Sequence, residues 1–373
     1  MSSTRVVRTL QARLLGFAAV VLLSACTAVP TQQFSTYKET FAKAQAAGEE
    51  VLLDHAAART KAVEFSASRR AARPTETERL TKVPQVSVSE AAKATEDVAV
   101  RMRAWNVVGR FNDAMTALAE GRSVAEVAKA ADGVLQSLNA FPIDAVKDLG
   151  ADLVPFAGAI KGLLAAAERE ISKQAFLHAL TNYGPVIRNN FIGLLRRDID
   201  DFYRVRFGLN DQEYRQIFLD IRNSMRQFRE LAAQYQATAD VKAIVVATSS
   251  ALAILPGSPE KTAMVEEFRG VADALGKPPA GAAAADALTL DKLQRLKDQI
   301  NDGVQRALAK NAELTPYGEV LVNYGILLTR TERSLKAVED AANNPSCSEP
   351  PSDELLKSVI LLRQAFLKYR VNQ

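Results

Sequence analysis

QFSTYKETFAKAQAAGEEVLLDHAAARTKAVEFSASRR, residues 33–70, decides the fold. Phe34, Tyr37, Phe41, Ala44, Gly48, Val51, His55, Ala58, Ala62 and Phe65 follow one another in steps of three and four. That spacing puts all ten on one face of a helix and makes a heptad seam of about 38 residues, roughly 57 Å at ~1.5 Å per residue. A stripe this long cannot stay exposed on a stable helix. The small residues in its middle let a partner helix approach closely. The expected partner is another long helix, over about 210–255, which has comparable length and the same rhythm.

Working outward, the same period recurs almost everywhere, and alternation of the strand kind is confined to pieces such as VPQVSVS at 83–89. Residues 73–89 carry two prolines and no stripe, and read as a loop or extended crossover. A helix after Ser89 has Val98, Met102, Trp105, Val108, Phe111, Met115 and Leu118 inward, and Gly121-Arg122 breaks it. Ser123-Val-Ala-Glu126 has the form of a capping box, opening a helix to about Ala140 with Val124, Val127, Ala131, Val134 and Leu138 inward.

Further helices are expected at 156–181, ended by Tyr183-Gly184-Pro185, and at 185–207, with Gly208 as its stop. The long 210–255 helix follows, closed by Pro256-Gly257-Ser258-Pro259. Later segments are a short helix at 260–275, a loose loop at 276–286, and helices at about 289–312, 316–342 and 353–371. Thr315-Pro316 supplies a favoured helix start, and Leu355, Val359, Leu362, Phe366 and Tyr369 give the last helix a face that docks. The expected fold is all-α, an elongated bundle of about nine to eleven helices with long heptad-patterned members. The expected divisions are a leader at 1–25, a main bundle over 26–256, and C-terminal helices over 257–373 packed on the same bundle.

Chemistry-bearing patterns are sparse. With only His55 and His178, the chain holds no multi-histidine metal centre, and H-E-x-x-H, C-x-x-C, G-x-S-x-G and the phosphate loop are all missing from the sequence. His55, on the first seam, reads as a polar residue tolerated in the core; His178 reads as lying near a helix C-terminus, where its cation would suit the dipole. Arg196-Arg197-Asp198-Ile-Asp200-Asp201 reads as a salt-bridged solvated helix face, and Arg69-Arg70-Arg73 as a basic helix end. Two uncharged or nearly uncharged runs, 149–167 and 243–255, fall short of a membrane span and read as core. No catalytic residue, metal site or cofactor is expected, and the chain does not read as an enzyme.

The N-terminus is the informative part. Arg5, Arg8 and Arg13 precede an uncharged apolar run, Leu14 to Leu23, that is too short to span a bilayer, which takes roughly 20 residues. Leu23-Ser24-Ala25-Cys26 closes it with small residues before a cysteine, the pattern of an export signal. These four residues resemble the lipobox of bacterial lipoproteins. The resemblance covers the first 26 residues only and implies cleavage before Cys26, lipid on its sulfur and acylation of its amine. Thr27, rather than Asp, after the cysteine implies the outer membrane facing the periplasm in Gram-negative members of the class. Two or three chains, at about 0.8 kcal/mol per buried methylene, hold firmly.

Removal of residues 1–25 from 373 leaves 348, and loss of the three leader arginines brings the formal charge from +4 to about +1. A nearly neutral exported chain has no electrostatic case for nucleic acid. With Cys26 lipidated, Cys347 in NNPSCSEPP has no partner within the chain, so no internal disulfide is expected. The expected function is that of a lipid-anchored cell-envelope protein, structural or binding an envelope partner through a helical face. The alternatives are a membrane-active, pore-forming-like helical protein using 149–167 or 243–255, and a small-ligand binder or enzyme with a site assembled without local motifs.

Overall fold

A computed structural model describes residues 29–71, 88–141, 172–197, 199–236, 238–257, 259–275, 281–343 and 352–371. The described residues form an all-α, multi-helix fold, with no strand among them. In chain order the helices are α1 (Val29–Ala71), α2 (Val88–Ala119), α3 (Val124–Asn139), α4 (Ser172–Val186), α5 (Gly193–Arg196), α6 (Ile199–Ala232), α7 (Ala239–Ala253), α8 (Pro259–Leu275), α9 (Ala287–Asn343) and α10 (Ser352–Val371). A π-turn, Ile187–Ile192, joins α4 to α5.

The chain divides into two compact units. The first takes Met1–Thr60, Val86–Phe202 and Val320–Ala365; the second takes Lys61–Gln85, Tyr203–Glu319 and Phe366–Gln373. Each unit is thus drawn from three stretches of chain.

In the first unit the α1 seam is inward as its period requires: Phe34, Tyr37, Phe41, Ala44, Gly48, Val51, His55 and Ala58 are all buried. Its aromatic partners in this unit lie on α2 and α4 rather than on the expected 210–255 helix; Phe65, in the second unit, lines a pocket with Glu213, Gln216 and Ile217 of α6. Phe41 packs on Trp105 of α2 with ring centroids 5.5 Å apart, and Phe34 meets Phe176 of α4 edge-on at 5.5 Å. The small residue Gly48 is where the Trp105 ring crosses α1; a Cβ there would lie 2.6 Å from Cζ2 of the indole. α2 ends as expected. Gly121 adopts a left-handed φ of 65°, and the N–H groups of Gly121 and Arg122 donate to the carbonyls of Leu118 and Ala117. Ser123 then caps α3 in a complete capping box with Glu126, and Val127, Ala131, Val134 and Leu138 are buried, whereas Val124, expected inward, lies in the first turn and is exposed.

In the second unit one core cluster gathers Phe218, Ile221, Met225 and Phe228 of α6, Val241, Val245 and Leu252 of α7, Met264 and Phe268 of α8, and Leu293, Ile300 and Val304 of α9. The apolar run at 243–255 is therefore an amphipathic core helix, with Val246 and Ile254 on its open side. Among the described residues no helix is long and apolar enough to cross a membrane.

Several boundaries depart from expectation. The helix expected to stop at Gly208 runs through it, since α6 is continuous from Ile199 to Ala232. The helix expected to continue to Leu255 instead breaks at 233–238. There the backbone N–H of Gln236 donates to the Ala283 carbonyl (3.0 Å), its side-chain amide donates to Ala282 (2.7 Å), and Thr238 caps α7. The expected loose loop is tied down by the same bonds over its described part, 281–286. Pro316 was expected to open a helix, yet α9 passes through it without a break. Proline costs about 3 kcal/mol inside a helix; here Tyr317, Val320 and Tyr324, all buried, retain the helical stripe beyond it. Tyr183-Gly184-Pro185 likewise fails to end a helix. The wider π-turn follows directly and takes up the irregularity left by the missing proline N–H. The 149–167 run, 73–87 and the basic cluster at Arg69-Arg70-Arg73 have no described side chains.

Candidate functional site

Cys26 and Cys347 both lie outside the described residues. The two histidines are placed. His55 is buried, its imidazole stacked on Phe202 at 3.9 Å between ring centroids, with the Arg101 guanidinium 5.3 Å from the centre of the same ring. It is a packing residue of the first unit, as read. His178 is exposed within α4, not at a helix end, because the helical path continues through Pro185. Among the described residues, no group of three or more His, Cys, Asp or Glu side chains is placed to hold a metal.

The residues 196–201 are not one helix face. Arg196 ends α5, Arg197 is extended (ψ 142°), and Asp200 and Asp201 sit in the first turn of α6, where their charge complements the helix dipole. Beside this break lies a groove of about 620 Å³ against the outer face of α9. Its apolar side is Ile199, Val322 and Ile326, the last two exposed at 64% and 40%. Its charged side is Arg196, Arg330, Arg333 and Asp200. Gly325 sits between, with open space where a Cβ would stand. Arg196 is bound to Glu332 at 2.6 Å and Arg330 to Glu354, so the groove's charge is largely balanced. The arrangement can receive an apolar side chain beside guanidinium groups that already hold Glu332 and Glu354.

Behind that groove lies a ladder of charges that the sequence did not mark. Glu332 and Glu339 are two turns apart on α9. Arg188 of the π-turn stands between them, its Nε 3.4 Å from Glu339 and its Nη1 4.0 Å from Glu332. The Glu339 side chain is 6% exposed. Gly184 of α4 lets it in, since a Cβ there would be 2.7 Å from Oε1. Burial outweighs the attraction of the Arg188 guanidinium, and the Glu339 carboxyl is pushed up to about 7. A second buried cation, Arg101, donates to the Leu194 carbonyl at 2.8 Å, so the last turn of α5 is capped by a residue of α2. Between Val98 and Trp105 the buried residues are Val100, Arg101 and Ala104, while Met102, expected inward, is half-buried.

The second unit has its own buried ion cluster. Arg206 lies between the rings of Tyr317 (5.1 Å) and Tyr369 (5.3 Å) and meets Glu313 at 3.5 Å. Lys310 bridges Glu313 (2.8 Å) and Glu213 (2.7 Å), and Asn210 donates to the Lys310 carbonyl. Burial acts to lower the lysine pKa, but the two carboxylates outweigh it and hold the group charged. These contacts fix the register of α6, α9 and α10 within the unit. For Glu339 of the first unit the clue in the sequence was position alone: it is four residues beyond the buried Leu335 and directly follows the buried Val338, on the inward stripe.

No known protein family, no characterised protein and no solved structure matches the chain.

Proposed function

We propose that the protein is a lipid-anchored component of the bacterial cell envelope, held through Cys26, with a structural or partner-binding role rather than a catalytic one. The observation that carries this reading is the N-terminal order: arginines without acids, an uncharged run from Leu14 to Leu23, then Leu23-Ser24-Ala25-Cys26. The outer membrane, facing the periplasm, is the proposed location, on the strength of Thr27. The partner surface is the groove along α9, where apolar and guanidinium groups stand side by side on a rigid helix face. Support comes from the body of the protein as well: long helices packed through aromatic seams provide a stiff scaffold on which such a face keeps its shape.

Replacement Cys26→Ser tests the anchor. In cells fed labelled palmitate, the wild-type chain takes up label and partitions with membranes. The variant stays unlabelled and uncleaved; a variant labelled as strongly as the wild type overturns the reading.

A further inference from the structure

Arg188 has two carboxylates in reach and one guanidinium to give. We propose that it is a two-position, pH-driven latch: it holds Glu339 while that carboxylate is charged, and moves toward Glu332 when Glu339 takes a proton from solvent, shifting the π-turn between two settings along α9. The geometry carries this. Arg188 sits between acids spaced seven residues apart on one face of α9, at 3.4 Å and 4.0 Å, so it needs only a small movement to change partner. The nearer acid is the buried one. Glu332 is more open and is already joined to Arg196 at 2.6 Å. Arg188 is carried by a π-turn, a wide turn that recurs at functional positions within helices, here directly after Pro185.

The other groups facing Glu339 do not offset its titration. Lys336 and Asp340, from its own helix, act in opposite senses, and they are paired to each other at 2.6 Å. Tyr37, facing it from α1, is fully buried and its phenol is pushed upward, so it stays neutral. The carboxyl titrates close to neutrality, so a modest change in the surrounding pH throws the latch. The π-turn leads into Arg196, which lines the α9 groove. The latch therefore couples the pH of the medium to one wall of that groove.

The test uses the full chain in detergent, labelled with ¹³C at glutamate side-chain carboxyls, beside Glu339→Gln. One wild-type glutamate should titrate near neutrality and vanish in E339Q. Hydrogen exchange of the peptide covering 184–196, corrected for intrinsic rates, should change about tenfold between about pH 6 and pH 8 in the wild type. In E339Q it should stay at its low-pH level throughout, while the 124–139 peptide stays flat in both. Absence of a glutamate titrating in that window overturns the proposal, as does an E339Q exchange profile that follows the wild type. Should E339Q fail to fold, Glu332→Gln decides. It removes the second seat, so exchange of 184–196 at low pH must quicken beyond wild type; an unchanged profile refutes the latch.

Discussion

Gly48→Ala tests how tightly the first unit is built. Gly48 lies mid-helix in α1, so local preference alone favours alanine by about 1 kcal/mol. The tertiary structure opposes it. The new methyl would stand 2.6 Å from Cζ2, 2.9 Å from Cε2 and 3.0 Å from Nε1 of Trp105, a whole ring edge rather than a flexible tip. Relief requires the indole or the α1 backbone to move by most of an ångström. Trp105 is fully buried, with Phe41 at 5.5 Å, so it has nowhere to rotate. Overpacking of this kind costs about 1–3 kcal/mol, and the upper part of that range fits a rigid aromatic neighbour. The net expectation, after the helix-propensity gain, is a loss of about 1–2 kcal/mol. Trp105 is the chain's single tryptophan, so its emission reports directly on this crossing during urea unfolding of the chain from Thr27 onward. Gly208→Ala is the control: it too is mid-helix, but its Cβ meets nothing within 4 Å, so it should stabilise by about 0.5–1 kcal/mol. If Gly48→Ala matched Gly208→Ala in stability, with unshifted Trp105 emission, the α1–α2 crossing would be wrong.

Phe41→Ala, removing a buried ring between Tyr37 and Trp105, should cost about 3–5 kcal/mol in the same unfolding assay; no loss would mean that this face of α1 is open in solution. Glu339 binds its proton more tightly in the folded chain than in the unfolded one. The folded state therefore holds more protons between the ordinary value of 4.5 and about 7, and stability declines as pH rises through that window. Glu339→Gln should flatten the decline and leave the variant about 2 kcal/mol more stable than wild type at pH 8, allowing for solvent screening; an unchanged slope in a pH series of urea melts would refute it. The chain from Thr27 onward should leave dye trapped in anionic liposomes, because the 243–255 run has its apolar side in the core; rapid release would move the membrane-active reading to the front.

The faces of the helices were legible in the sequence because burial imposes a period that survives any choice of partner. The α1 seam, the α3 capping box and the α10 stripe each followed from residues within two turns of one another. Partners and ends were not legible in the same way. Nothing within α1 distinguishes Trp105 and Phe176 from the aromatics of the 210–255 region as its neighbours. The break at 233–238 is secured by Gln236 bonding to Ala282 and Ala283, some forty-six residues away, and no local preference announces it. The buried charges are more remote still: Arg101 meets a carbonyl 93 positions on, and Arg206 meets Glu313 across 107.

Gly184-Pro185 shows how a local misreading can point to the site. As a dipeptide it reads as a helix stop, because glycine lacks a Cβ and proline lacks an N–H. Each deficit is used differently here. The missing N–H at Pro185 immediately precedes a π-turn, and that turn carries Arg188. The missing Cβ at Gly184 is the space taken by the Glu339 carboxylate, whose Oε1 would lie 2.7 Å from an alanine methyl. A residue pair that disfavours a regular helix is retained in the middle of a helical path, and both irregularities converge on one ion pair. A helix breaker thus marks a break only where nothing holds the chain on both sides; where Ile187, Phe191 and Ile192 are buried just beyond it, as here, the helical path persists and the irregularity becomes the place where a buried charge is admitted.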